Sequence, residues 1–345
     1  MKKYILFFVS TLFAVFTSCS NEDIEVANSV TVKVDPSGVI SPFTFEFDAG
    51  ELESFYSSFK LRTRVLAYNE KGLLVAADTT FLTNYKSLAN PSFYLPKGEY
   101  TLLAITDVVE RENDKTVFEL WKLTGEQDIS TAKISDAGYI GLQSKILGIA
   151  SKHVSISSGA NSFTLNPTPA GALFCIYYAN IHTYSILNTI DLETNRTSDF
   201  ITFDTNGNYV TIPQNENNEY NWRVGSLDIA DYPNSTNIYS YTFVFPMNNV
   251  KYRFVGYSSS SAYKLGDEYL ADIKAGEEYL FAVDLNDNGE ITSEAVILTN
   301  NSSSAKKIQA SAKKASLTQK RLYKNNIVKE FNVQSSAKLI DLIQK

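Results

Sequence analysis

The side chains best suited to acid–base or metal chemistry are scarce in this sequence. Its only histidines are His153 and His182, each in a strand-like stretch. Zinc sites and catalytic relays need partners at fixed spacings, and the patterns H-x-x-x-H, C-x-x-C and H-E-x-x-H do not occur. The nucleophile pattern G-x-S-x-G and the phosphate-binding glycine patterns are also missing. Aspartate and glutamate residues are plentiful, but nothing in the sequence indicates that any two face each other across a cleft, as the catalytic pair of a glycosidase does. We therefore expect a chain that is not an enzyme and that holds no cofactor.

Residues 284–292 are the one stretch that resembles a metal-binding loop. Asp284, Asn286 and Asn288 occupy the first, third and fifth positions of an EF-hand calcium loop, and Gly289 follows at the sixth. The twelfth position, where such loops carry a bidentate glutamate, is Ala295. Both flanks are strand-like, so a hairpin turn closed by Asn288 and Gly289 is the simpler prediction. Calcium binding at Asp284, Asn286 and Asn288 remains the alternative.

The two tryptophans, Trp121 and Trp222, are the candidate ligand-binding residues. An exposed indole ring can stack on a sugar ring, which would suit a glycan-binding surface. Each tryptophan, however, lies in a segment with an apolar periodicity. Core packing is therefore the simpler interpretation of both residues.

The N-terminus has the order of a secretory signal peptide. Lys2 and Lys3 precede an apolar run over residues 4–16, which is too short to cross a bilayer as a helix. Residues 16–19 resemble the lipobox of bacterial lipoproteins, whose cysteine is acylated and becomes the first mature residue. This resemblance implies a signal peptide over residues 1–18 and lipidation of Cys19. Residues 20–23 are similar to the acidic export tag of Bacteroidetes lipoproteins, which implies an outer-membrane anchor facing the cell surface.

Composition limits the classes of partner and fold. The chain has 345 residues, enough for about two domains, and its only other cysteine is Cys175, in an apolar run. We expect Cys175 to be buried and no internal disulfide to form. The net charge is −7; residues 302–345 contribute +8 and the first 18 residues +2, so the segment between carries −17. An acidic folded body argues against nucleic-acid binding.

Short strands separated by turn signals run through most of the sequence. At least a dozen such strands, with no long amphipathic helix, predict an all-β chain of two tandem antiparallel β-sandwiches. We expect a tether over residues 19–29, one sandwich over 30–157 and a second over 158–300. A short helix over residues 130–137 is the one helical expectation. Residues 301–345 are predicted to be a basic, flexible tail, with a partner-binding segment as the alternative.

One motif occurs in both halves. Residues 95–105 (LPKGEYTLLAI) match residues 273–283 (IKAGEEYLFAV) after one inserted residue, which suggests two related domains. With the lipobox and the strand pair around residues 65–72, this unit resembles the two-domain fimbrillin-type lipoproteins of Bacteroidetes, in their minor-subunit and anchor branch. The resemblance implies transthyretin-like sandwiches and a fimbrial subunit or anchor that meets other fimbrial subunits by β-strand addition. The alternative is a surface lipoprotein that binds glycan or host protein.

Overall fold

The structure is a computed structural model that describes residues 27–43, 59–137, 146–213, 220, 222–285, 291–298, 306–307 and 310–311. Within these ranges the chain forms β-strands and two short 3₁₀ helices, Pro36–Val39 and Ile229–Asp231. The prediction of an all-β sandwich chain is confirmed. In the described ranges no helix combines the length and the apolar character needed to span a bilayer. The predicted signal peptide and Cys19 lie outside the described residues, as does nearly all of the basic tail.

The first sandwich is built mainly from residues 28–169. Its strands are β1 Asn28–Val34, β2 Phe59–Asn69, β3 Leu74–Leu82, β4 Ser92–Leu95, β5 Gly98–Glu112, β6 Lys115–Glu119, β7 Trp121–Thr124, β8 Lys133–Asp136, β9 Gly148–Ile156, β10 Asn161–Leu165 and β11 Thr168–Pro169. The small sheet has the order β10-β1-β4, and the large sheet has the order β11-β9-β5-β2-β3, with β6 paired to β5. Side chains from both sheets share one hydrophobic core. Strands β10 and β11 follow residue 157, yet they pair with β1 and β9.

The second sandwich follows from residue 172. Its strands are β12 Ala172–Ala179, β13 Thr189–Thr194, β14 Phe200–Phe203, β15 Tyr209–Thr211, β16 Trp222–Asp228, β17 Ile238–Val244, β18 Met247–Tyr257, β19 Ala262–Ile273, β20 Glu278–Leu285, β21 Ile291–Leu298, β22 Lys306–Lys307 and β23 Ala310–Ser311. The inner sheet has the order β17-β12-β20-β21-β22, and the outer sheet has the order β16-β13-β18-β19-β23. These two sheets enclose a second core.

Strand β12 separates the two cores. All eight of its residues are buried, which explains why its sequence, ALFCIYYA, does not alternate with polar residues. Side chains alternate between the faces of a strand. One face enters the second core through Ala172, Phe174, Ile176 and Tyr178. The other face enters the first core through Leu173, Cys175, Tyr177 and Ala179. Cys175 is fully buried as expected, and burial raises the pKa of its thiol.

A bridging sheet with the order β15-β14-β8-β7 joins the two sandwiches. Strand β8 pairs with β7 on one side and with β14 on the other, so Ile134 is aligned with both Leu123 and Ile201. The prediction of a short helix over residues 130–137 is therefore wrong. Ile134 and Ile201 are fully buried, and this long-range pairing outweighs the weak local helical preference.

The repeated motif connects facing sheets in both sandwiches, through residues 96–97 in the first and residues 274–277 in the second. In each copy the chain leaves one sheet, turns and enters the facing sheet, from β4 to β5 and from β19 to β20. The tyrosine of each copy bonds back to that turn: the Tyr100 hydroxyl donates to the Pro96 carbonyl at 3.1 Å, and the Tyr279 hydroxyl donates to the Asp272 carbonyl at 2.9 Å. The described sheets also differ from a purely antiparallel arrangement, because β1–β10 and β12–β20 pair in parallel.

Candidate functional site

The structure brings the two candidate tryptophans to one cavity at the junction of the sandwiches. Trp121 begins β7 and is 1% exposed. Its ring meets Phe243 edge-on at a centroid distance of 5.8 Å and lies tilted against Phe245 at 5.2 Å. Trp222 begins β16 and is partly exposed, and it lines the same cavity together with Arg223. Trp121 is thus packed as a core residue that ties β7 to the second sandwich.

The size of this cavity limits what it can hold. Its volume is about 120 Å³. Pockets for small-molecule ligands usually have about 300–1,000 Å³, so this cavity is smaller than a typical ligand site. A sugar ring stacked on Trp121 would need an exposed ring face, and that side chain is covered by aromatic neighbours. Trp222 keeps partial exposure and is the more accessible of the two candidates.

The other sequence candidates are dispersed. The His153 Nε2 atom lies on the surface, 3.3 Å from Glu99, and the His182 Nε2 atom lies 2.9 Å from the Tyr232 carbonyl. Strands β20 and β21 pair antiparallel up to Leu285 and Ile291, as the hairpin interpretation of residues 284–292 requires. Asp284 accepts a hydrogen bond from the Asn180 amide at 2.6 Å, whereas Asn286 and Asn288 lie outside the described residues. Among the residues that the structure describes, no group of three or more metal-ligating side chains is found.

A buried ion-pair network lies on the large sheet, where sequence reasoning predicted nothing. Arg62 on β2 makes a two-pronged contact with the fully buried Asp107 on β5, with Nε–Oδ1 at 2.9 Å and Nη2–Oδ2 at 2.6 Å. Arg62 also donates to Glu119. Burial opposes the charge on Arg62, but the two carboxylates outweigh it and raise the pKa of the guanidinium. The paired residues are 45 positions apart, so no local pattern marks them.

A second network covers the outward face of the outer sheet. Asp191 and Glu193 lie two residues apart on β13 and are both buried. Asp191 accepts from Ser226 at 2.6 Å, and its other oxygen is 2.8 Å from Arg223 Nε. Burial raises the pKa of Asp191, although the contacts with Ser226 and Arg223 act to lower it. Glu193 accepts from Arg253 Nε and Nη2 at 3.1 and 2.9 Å. Both carboxylates are therefore held by cations, as in a structural network.

The sheet edges are the remaining candidate surfaces. Two short segments of the C-terminal region already lie along edges of the second sandwich: β22 pairs with β21 of the inner sheet, and β23 pairs with β19 of the outer sheet. The edge of β4 is blocked differently, because the Asp78 carboxylate accepts from the Ser92 backbone N–H at 2.8 Å. In the described part of the chain, β15 at the end of the bridging sheet pairs only with β14.

Comparisons with known proteins give low similarities. No protein-family model matches the chain, and no curated protein matches it. Three solved structures are similar in architecture. One is a proposed polysaccharide-binding protein of Bacteroides thetaiotaomicron, at 12% identity and a TM-score of 0.45, covering 82% of this chain and 98% of that one. Another is a proposed adhesin of the same species, at 10% identity and a TM-score of 0.46, covering 83% of this chain and 100% of that one. The third is a fimbrial anchor protein of Porphyromonas gingivalis, at 9% identity and a TM-score of 0.45, covering 82% of this chain and 100% of that one. At these identities the likeness does not extend from architecture to function.

Proposed function

We propose that this chain is a structural or adhesion subunit of a bacterial surface, held in the outer membrane by a lipid on Cys19, that joins other fimbrial subunits by β-strand addition. The observation that carries the assembly mechanism is the placement of β22 and β23. Lys306–Lys307 pairs with residues 296–297 on one sheet, and Ala310–Ser311 pairs with residues 268–269 on the other. Short extended segments therefore add to both sheets of the second sandwich at their edges.

Assembly of this kind uses the unpaired backbone groups of an edge strand. An edge strand presents backbone N–H and C=O groups that another extended segment can satisfy, and alternate side chains then fix the register. The buried networks and the shared cores support such a role because they hold the sheets, and hence their edges, in a fixed geometry. The order of residues 1–23 supports the lipid anchor.

Strand addition is tested with the tail removed. A chain ending at residue 301 lacks β22 and β23, so it should bind a synthetic peptide spanning residues 304–313, whereas the full chain should bind that peptide much more weakly. A scrambled peptide of the same composition is the control. If the shortened chain does not bind the peptide, or binds the scrambled peptide with the same affinity, these edges do not accept added strands in this way.

The anchor is tested separately on protein taken from cells. Mass spectrometry should find a mature chain that begins at an acylated Cys19, and Cys19→Ser should release the protein from the membrane fraction. An unlipidated N-terminus beginning at another residue would contradict the anchor and leave the assembly mechanism to its own test.

A second function, binding of surface glycan or host protein, is supported by one residue. Tyr94 on β4 is 71% exposed, and its paired neighbour on β1 is Ser29. An exposed ring on a sheet of small polar residues can stack on a sugar. Tyr94→Ala should abolish binding to a polysaccharide array if this function holds, whereas unchanged binding would exclude this face.

A further inference from the structure

Strand β15 has one side of its backbone turned away from its only described partner. The Asp204 N–H donates to the Asn208 carbonyl at 2.9 Å, just before β15 begins. Because antiparallel ladders alternate, Val210 then directs its backbone N–H and C=O toward β14, opposite Thr202. The backbone groups of Tyr209 and Thr211 point to the opposite side, where the described part of the chain places no paired strand. These groups could take up an added strand without disturbing the existing pair.

A groove of about 720 Å³ lies beside this strand. Its walls are β15, the start of β18 and the turn after β19. The apolar lining includes Val210, Met247 and Ile273, along with two prolines. Val210 is 49% exposed, and Ile212, two residues further along, is 44% exposed. Two large apolar side chains at alternate positions, both open to solvent, form a surface that an apolar partner would cover.

The groove is also positive in a protein whose folded body is acidic. Among the described residues, its lining includes Arg196 and Lys274 and no aspartate or glutamate. The Arg196 Nε atom is buried and has no hydrogen-bond acceptor among the described residues. Asp272 does not line the groove, and its Oδ1 accepts from the Asn249 backbone N–H at 2.8 Å. A partner with carboxylates would thus meet two cations along this groove.

We propose that the β15 groove is a docking site for an extended peptide segment of another protein in which acidic and apolar side chains alternate. The segment adds to the side of β15 opposite β14 through the backbone groups of Tyr209 and Thr211. Its apolar side chains cover Val210, and its carboxylates lie near Arg196 and Lys274. This inference rests on the proposed mode of strand addition but places it at an edge different from those of β19 and β21, so the two can fail independently.

The probe is a fluorescein-labelled peptide of alternating glutamate and valine, titrated into the full chain while polarisation is recorded. A lysine–valine peptide of the same length is the charge control. A glutamate–valine peptide with alternate amides N-methylated is the backbone control, because it cannot donate to a strand edge. We expect the acidic peptide to bind and each control peptide to bind at least roughly tenfold more weakly.

Variants of exposed residues locate the site without disturbing the fold. Val210→Asp and Lys274→Glu should each weaken binding of the acidic peptide by roughly tenfold or more. Ile186→Asp, at a residue 43% exposed elsewhere, and Lys122→Glu, also exposed, are the matched controls and should leave binding unchanged. Absence of binding, equal binding of the N-methylated peptide, or equal loss in the control variants would overturn the proposal. None of these results would bear on the tail-deletion test.

Discussion

Replacing Trp121 by alanine should weaken the whole body of this protein, because the ring ties β7 to the second sandwich. It is 1% exposed and contacts Phe243 and Phe245. Truncating a buried tryptophan to alanine typically costs about 3–5 kcal/mol through lost burial and the cavity left behind. The two aromatic pairs place this site in the upper half of that range, so we expect a loss of about 4–5 kcal/mol.

The assay is denaturant unfolding of the protein, with Trp222→Ala as the matched control. Trp222 is partly exposed and should cost about 1 kcal/mol. Because the chain has only two tryptophans, Trp222→Phe leaves Trp121 as the sole indole reporter. Its emission should be that of a buried indole in the folded state and should shift to the red in the same transition that removes β-sheet signal.

Two results would refute this reasoning. The first is a cost below about 1 kcal/mol for Trp121→Ala, which is the range of surface substitutions. The second is solvent-exposed emission from Trp121 in the folded protein, or quenching of that emission by added polysaccharide. Quenching by polysaccharide would in addition favour the alternative in which Trp121 stacks on a sugar.

Three further outcomes follow from the same structure. Gly207→Ala should destabilise the fold more than Gly159→Ala does. Both glycines have a positive φ, but only at Gly207 would the new Cβ meet another side chain, at 2.8 Å. The difference in thermal stability between the two variants therefore reports on the packing of the β14–β15 hairpin. Asp107→Ala should cost about 3–5 kcal/mol because it removes the buried carboxylate that pairs with Arg62 and lies 3.8 Å from Arg64, and Arg62→Met combined with Asp107→Leu should recover part of that cost in denaturant titrations. Hydrogen bonding lowers the pKa of Asp204 below its usual 3.8. The stability that the charged carboxylate contributes is therefore present above pH 3.8 and is lost as the pH falls through the folded-state pKa. In the Asp204→Asn variant, stability should depend less steeply on pH in this acidic range.

The parts of the fold that follow from the sequence are those with a local pattern. Alternation in β1 reflects one buried face, and the unbroken apolar run of β12 reflects burial on both faces. The repeated turn is readable because its lysine, glycine and tyrosine stand at nearly the same spacing in both copies. Burial of Cys175 follows from the same apolar run.

The parts that escape prediction depend on residues far apart in the chain. Strand β8 belongs to a sheet that reaches across both sandwiches, and no feature of its own sequence indicates β14 as a partner. The ion pairs of Arg62 and Glu193 join residues 45 and 60 positions from their partners. Likewise, the groove beside β15 is assembled from four separate segments of the chain, and no pattern within any one of them indicates the other three.

The measurement that tests the central claim most directly is hydrogen–deuterium exchange on the protein as isolated in its surface assembly, compared with the purified monomer. Strand addition satisfies backbone amides that face solvent in the monomer, so exchange should slow at an edge strand, with β15 the first to examine. Amides of β12, paired on both sides already, should not change. Identical exchange at every edge strand in the two states would contradict assembly by β-strand addition.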